Sequence, residues 1–171
     1  MTVLEIKLIP DPVLRKKAEP VKVVTNDIIS VLNDMAETMY DAPGIGLAAN
    51  QVGILKRLIV MDCSTDDEDP NLIKMINPEI IFSSTEISEL EEGCLSIPEH
   101  KSIVKRPSNI KVRFLNTKGS EEIIYAEGLL SACIQHEIDH LNGVLFVDHI
   151  SRLKRDIIFR KVKKQIRENE K

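Results

Sequence analysis

QHEIDHLNG, residues 135–143, places two histidines four residues apart, with a glutamate beside the first and an aspartate beside the second. On a helix, residues i and i+4 stack on one face, so His136 and His140 can offer their imidazoles to one metal ion while Glu137 leans over the same spot. A catalytic metal is usually held by three protein ligands and keeps a fourth position open. The stretch therefore calls for a helix and for a third ligand from elsewhere in the chain.

Working outward, the helix is expected to begin at Gly128 and run to about Leu141, and Ser151 caps a further helix that continues nearly to the C-terminus. Upstream, NDIISVLNDMAETMYD at 26–41 carries Ile28, Leu32, Met35 and Met39 at helical spacing, with Thr25 or Asn26 as the cap. Pro43, Gly44 and Gly46 then end that helix. Between the helices, RLIVMD at 57–62, LIKMINPEIIF at 72–82, KSIVKR at 101–106, NIKVRFLN at 109–116 and EEIIYAE at 121–127 read as strands separated by turn-forming clusters. Helix, strands, helix, helix is the order of an α+β domain: short, mostly antiparallel sheets packed around a central metal-ligand helix, with a C-terminal helix.

A chain of 171 residues with 43% hydrophobic content fits one domain spanning residues 1–171. No long apolar run suggests a membrane span, and the N-terminal stretch lacks the pattern of a signal peptide, so a soluble cytoplasmic protein without membrane contact is expected. The cysteines at 63, 94 and 133 have no regular spacing and read as free thiols. Net charge is -4, yet residues 151–171 hold nine Lys or Arg against three Asp or Glu, leaving 14 against 24 in the rest. A basic helix therefore follows an acidic body, and either a solvated face or a polyanionic contact accounts for it.

The third ligand has several candidates. The metzincin pattern would put a third histidine at position 146, where this chain has Phe146. Glu168 and Glu170 lie in the polar end of the tail, His149 lies past the ligand helix, and His100 has no patterned partner. Cys94 stands in EEGCLSIPE between Gly93 and Pro98, where the backbone suits a presented side chain, and a thiolate is a strong metal ligand.

Three motifs together carry a resemblance: GIGLAANQ at 44–51, EGCLS at 92–96 and HEIDH at 136–140. They resemble the peptide deformylases, enzymes that remove the formyl group from the N-terminal formyl-methionine of new bacterial proteins. EGCLS with a C-terminal helix is similar to the bacterial type 1 group. The likeness extends to IPDPVLRKKA and to the basic tail, and so covers essentially the whole chain.

The resemblance implies one divalent metal held by Cys94, His136 and His140, natively ferrous iron, with zinc, nickel or cobalt able to replace it. It implies Glu137 as the proton-transfer group, and Gln51 and the backbone N–H of Leu95 as donors to the developing oxyanion. Ile45, Gly46 and Gly93 would line the substrate path. Leu129, Ala132 and Cys133 precede His136 at i-7, i-4 and i-3 on one helix side, and the family holds the methionine side chain there. The chain departs from the usual pattern at Ala132, where relatives often carry a larger aliphatic residue, and at Lys101, where they often carry arginine.

Two other readings stay open on the residues alone. A metalloendopeptidase shares the helix and the glutamate, and a structural metal module could use the same three ligands, although it would have no use for Glu137 or Gln51. Asp139 is expected to face away from the metal, with Arg106 as a candidate partner. In the tail, Leu153, Ile157 and Phe159, with Ile158, Val162 and Ile166, offer apolar positions for docking the helix, while its lysines and arginines suit the RNA phosphates of the ribosome, where formyl-methionyl nascent chains emerge.

Overall fold

A computed structural model describes residues 2–170; Met1 and Lys171, the ends of the expected domain and basic tail, lie outside the described residues. Helix α1 spans Asn26–Asp41 and is capped by Thr25, whose side chain accepts the Ile28 N–H. Strands follow at β1 (Gly46–Ala48), β2 (Leu58–Met61), β3 (Ile73–Ser83), β4 (Ile87–Cys94), β5 (Ile97–Pro107), β6 (Asn109–Leu115) and β7 (Glu121–Glu127). Helices α2 (Gly128–Leu141) and α3 (Arg152–Asn169) complete the order, with Ser151 capping α3. The strands form a five-stranded sheet, β1-β2-β3-β6-β7, and a separate hairpin, β4-β5, with antiparallel pairing throughout. The α+β architecture is as expected.

Strand β2 shows why the helices flank it. All four of its residues are buried, and side chains on a strand alternate between faces. Ile59 and Met61 join a core cluster with Cys133, Ile134, Ile138 and Leu141 of α2. Leu58 and Val60 point the other way, to Ile28, Leu32, Met35 and Met39 of α1. The same alternation splits Ala48 from Leu47 on β1 and Met75 from Ile76 on β3. A third cluster joins the β4-β5 hairpin to α3, through Ile97, Val104, Phe146, Ile158 and Val162.

Two strands go beyond the sequence reading. Strand β1 has only three residues, and the less exposed face of β4, Ser88, Leu90, Glu92 and Cys94, is mostly polar, so neither carries an apolar pattern long enough to detect. Strand β3 accommodates Pro78 because the pairing with β6 shifts register between Ile76 and Glu79. In α3 the docking stripe is Ile158 and Val162, with Phe159 and Ile166 packed beside them, whereas Leu153 and Ile157 are exposed. No described helix is long and apolar enough to cross a membrane.

Helix α1 also holds the loop that precedes β1. Gly44 N–H donates to the Met39 carbonyl at 2.7 Å, and Asp62 N–H donates to the Ile45 carbonyl at 2.9 Å. The Asp62 carboxylate accepts from Tyr40 Oη and Ser64 Oγ, both at 2.6 Å. Burial raises its pKa, but hydrogen bonds from Ser64, Tyr40 and Asn71 outweigh that and bring it down to about 2. A depressed carboxyl contributes stability that is present above its ordinary value of 3.8 and lost as pH falls through its folded value. Tyr40→Phe is expected to cost about 1 kcal/mol at neutral pH, with the deficit shrinking as pH drops from about 4 toward about 2. Urea unfolding of both proteins at the two ends of that range checks this, and a deficit independent of pH would contradict it.

Candidate active site

Helix α2 supplies His136, Glu137 and His140, all nearly inaccessible to solvent. Cys94 arrives at the end of β4, where the hairpin shifts register between Gly93 and Cys94, an irregularity that re-aims the side chain out of the ladder. The donor atoms of Cys94, His136 and His140 lie within 4.8 Å of one another. The two Nε2 atoms are 3.2 Å apart, and Cys94 Sγ is 3.4 Å from His140 Nε2. Cys94 Sγ also accepts N–H groups from Ser96, at 3.4 Å, and from the Gln51 side chain, at 3.5 Å.

The tautomer of His136 follows from its other nitrogen. Nδ1 lies 2.8 Å from Glu92 Oε1, whose low pKa makes it an acceptor, so Nδ1 carries hydrogen and donates. In the neutral ring this leaves the Nε2 lone pair facing the shared spot, an outer-shell arrangement typical of histidine ligands. Burial, followed by the neighbouring His136 and Arg106 charges, holds His140 well below its ordinary range, so its imidazole is neutral as a ligand requires. His136 is pulled the opposite way: burial lowers it, but Cys94, Glu137 and Glu92 carry it well above normal. These neighbours favour positive charge where soft and borderline donors converge, and a divalent transition metal fits that donor set.

Two carboxylates flank His136 with different fates. Glu92 is buried, yet hydrogen bonds from His136 and Arg106 outweigh the burial and depress it to about 2. Glu137 has no comparable partner, and burial, aided by the charges of Glu92 and Asp139, raises it to about 7. Its Oε1 is buried without a hydrogen-bond partner among the described residues. A carboxyl that balances between protonation states near neutrality can both take and return a proton.

Arg106 ties the hairpin to the helix. Its Nε and Nη2 donate to the two Glu92 oxygens at 2.6 and 3.0 Å, and its Nη1 donates to Asp139 Oδ2 at 2.9 Å. The Arg106–Asp139 pairing is therefore as expected from the sequence. His149 Nε2 lies 2.8 Å from the same Asp139 oxygen, which puts His149 in this outer network and not among the ligands. Phe146, at the position of the metzincin histidine, has its ring centroid 6.2 Å from that of His136 and packs as core.

A cavity of about 700 Å³ opens beside the cluster and includes every residue expected at the substrate site: Ile45, Gly46, Gln51, Gly93, Leu95, Leu129, Ala132 and Cys133. Its wall also includes Ile6, Leu8, Leu90 and Pro98, which the motif-based reading missed because they lie outside the three motifs. Lys101 lines it too. Gly46 has a reason beyond turning the chain: a Cβ there would sit 2.9 Å from Cys133 Sγ and collide with the Glu137 carboxylate. Gln51 is buried, its Oε1 accepting from Ala48 N–H at 3.0 Å and its Nε2 donating to Ser96 Oγ at 3.1 Å.

A Cys-His-His donor set beside a buried glutamate, in the wall of a largely apolar pocket, is the site of a metal-dependent hydrolase. Comparison narrows the class. The polypeptide deformylase family profile matches residues 3–156. A peptide deformylase of Rhizobium meliloti (strain 1021) is 51% identical over 164 residues, covering 96% of this chain and 94% of that protein. One from Caulobacter vibrioides is 52% identical over 151 residues, 88% of this chain and 87% of that protein. The crystal structure of the Ehrlichia chaffeensis peptide deformylase superposes with a TM-score of 0.95 at 41% identity, covering 99% of this chain and 100% of that one. The same enzyme in complex with actinonin gives 0.92 at 43% identity, covering 96% and 98%. The chain belongs to the polypeptide deformylase family.

Glu92 is the junction of this site. Glu92→Gln keeps an acceptor for His136 but leaves Arg106 without its buried counter-charge, so we expect a stability loss of about 3–5 kcal/mol and metal affinity weaker by about 10–100-fold. Chelator competition followed by denaturant unfolding reads both; parent-like values in the two measurements would remove Glu92 from this role.

Proposed function

We propose that the chain, as a single catalytic domain, removes the N-formyl group from formyl-methionyl nascent polypeptides and releases formate, with Cys94, His136 and His140 holding the catalytic metal. The observation that carries the site assignment is the convergence of these three donors beside Glu137 at the end of an apolar pocket. When bound, the divalent ion supplies the Lewis acidity that makes water nucleophilic at neutral pH and polarises the formyl carbonyl. Ferrous iron is the proposed native ion, and zinc, nickel or cobalt would satisfy the same donors.

This chain's residues do the rest. Glu137, with its pKa raised to about 7, accepts the proton of the attacking water and returns it to the departing amine nitrogen. Gln51 Nε2 spends one hydrogen on Ser96 and has only a long contact to Cys94 for the other, so that second hydrogen is available to the oxygen that gains charge. Leu95, next to Cys94 at the tip of the hairpin, offers its backbone N–H to the same oxygen. The methionine side chain would lie against Leu129, Ala132 and Cys133, with Ile45 and Gly46 along one side of the path and Gly93 along the other.

Glu137→Ala should keep its metal and lose turnover, whereas Cys94→Ala should lose metal because two imidazoles remain. Formate release from a formyl-methionyl peptide, cleavage of an internal peptide bond and metal content, all on anaerobic samples, test this. Near-parental formate release by Glu137→Ala, or full metal retention by Cys94→Ala, would contradict the assigned roles. Internal cleavage without formate release would favour the endopeptidase reading.

We also propose cytoplasmic action at the ribosome through α3. Arg160, Lys161, Lys163, Lys164 and Arg167 are exposed, while Ile158 and Val162 belong to the core. Removing the helix would open that core, so charge reversal tests docking more cleanly. Lys161→Glu with Lys164→Glu is expected to leave peptide deformylation intact and weaken co-sedimentation with ribosomes, as would added salt in the parent. Unchanged sedimentation of the folded double variant would end the docking idea.

A further inference from the structure

The catalytic cavity has a neighbour. A groove of about 710 Å³ runs between the N-terminal segment and the last turns of α3. Leu8, Pro98 and Glu99 line both it and the catalytic cavity, and so form the ridge between them. Hairpin pairing jumps there from Gly93–Lys101 to Cys94–Ile97, which leaves Pro98, Glu99 and His100 bulging out of the ladder. Glu99 holds φ at 70°, a left-handed conformation that favours glycine. Helix α3 buttresses the bulge, since Gln165 Nε2 donates to Glu99 Oε2 at 3.1 Å. The N-terminal segment is tied to the hairpin beside it, Ile9 N–H donating to the Ser96 carbonyl at 3.0 Å.

We propose that this groove extends the substrate path: it takes the part of a formyl-methionyl polypeptide downstream of the residues held in the catalytic cavity, and it favours segments that carry lysine or arginine. The inference rests on the deformylase reading for the direction of the chain. With the formyl end at the metal ligands, the remainder of a polypeptide must leave the catalytic cavity. The shared ridge opens that cavity directly onto the groove.

Charge decides what the groove accepts. Asp11, Glu99 and Glu168 line it, and among the described residues no lysine or arginine does. The cationic side chains of α3 that suit RNA phosphates, Lys161 and Lys164 among them, are absent from its wall. The groove therefore disfavours an anionic partner and favours a cationic one. Asp11 gives Oδ1 to the Val13 N–H and Glu99 gives Oε2 to Gln165, so each carboxylate has a second oxygen to offer.

The apolar lining fits the same occupant. Leu8 is exposed on the ridge, and Val162 and Ile166 form part of the α3 wall. Lysine and arginine bury aliphatic stems while their charged heads reach a carboxylate. Pro10, Pro12 and Pro98 have no N–H to donate, which turns recognition away from ladder pairing and toward side chains. Such a surface selects charge without demanding one sequence, as a path for varied polypeptides requires.

Steady-state formate release is compared for a formyl-methionyl tripeptide and two formyl-methionyl decapeptides, one with a neutral second half and one with lysines there. Extended chains of these lengths span about 10 and about 33 Å, so only the decapeptides reach past the first cavity. We expect the lysine decapeptide to exceed the neutral one about fivefold in kcat/KM, mainly through KM. The difference should vanish at about 0.5 M salt. Glu168 lines the groove and not the catalytic cavity, so Glu168→Lys should leave tripeptide turnover unchanged and reduce the lysine preference to about twofold or less. A benzophenone in the second half of the lysine decapeptide should crosslink, in the metal-loaded parent enzyme, to residues 8–12 or 162–169. Equal kcat/KM for the two decapeptides, or a lysine preference unchanged in Glu168→Lys, overturns the proposal. Crosslinks confined to residues outside both segments overturn it as well. Absence of formate from all three peptides would instead contradict the deformylase reading, and the crosslinks would still decide whether the groove holds the chain.

Discussion

The buried pairing of Arg106 with Glu92 is the interaction on which the rest of the site depends. Glu92 belongs to β4, Arg106 to β5, and the groups they additionally hold, His136 and Asp139, belong to α2. The hairpin is a separate two-stranded sheet with no ladder to the main sheet. Its approach to α2 must therefore be set by side chains. A planar guanidinium that binds one carboxylate with two nitrogens and a second carboxylate with the third fixes orientation as well as distance. Cys94 lies two residues beyond Glu92, so the same fork that orients His136 also sets the sulfur of the third ligand.

Burying those charges is unfavourable unless each is met, and the geometry meets them in sequence. Arg106 serves Glu92 and Asp139, Glu92 receives His136, and His149 completes Asp139 near the surface. Glu137 is left outside this chain of partners. The contrast gives two glutamates in one small volume opposite behaviour, one permanently ionised and structural, the other poised near neutrality. A carboxyl that exchanges protons near neutrality needs the second environment, and it arises here because the Arg106 cation is committed to the first.

How much of this was legible in the sequence depends on how local the physics is. The limits of α2, the buried stripe of α1 and the Ser151 cap of α3 were readable, because helical period and capping act within a few residues. Cys94, His136 and Glu137 were readable as motif residues because metal chemistry restricts the side chains that will serve. Strand β4 was not, because its inward face carries Ser88, Leu90, Glu92 and Cys94, a mostly polar set that shows no apolar alternation. The Glu92–Arg106 pair was also hidden: in the hairpin register Arg106 lies opposite Ser88, and Glu92 lies opposite Ser102. Only a long side chain reaching along the strand brings the charges together, and no spacing rule encodes that reach. The steric need for Gly46 was equally non-local, since the atoms it avoids belong to residues far away in the chain.

Helix α2 shows how one element can be both core and active site. A helix buried on every side would ordinarily be apolar all round, yet α2 buries Ser131, Gln135, His136, Glu137 and His140. Its residues sort into three stripes. Ile134, Ile138 and Leu141 face the sheet and join its core cluster. Ser131 and Gln135 turn to the β5–β6 junction, where Gln135 Nε2 donates to the Pro107 carbonyl at 2.9 Å and to Ser131 Oγ at 3.0 Å. Ala132, Cys133, His136 and Glu137 face the cavity, with His140 one turn beyond. Outside the helix, the Pro107 carbonyl meets Gln135 and Glu92 meets His136, whereas Glu137 Oε1 and His140 Nδ1 have no hydrogen-bond partner among the described residues. The apolar stripe can then be narrow, because the main sheet needs only one face of the helix.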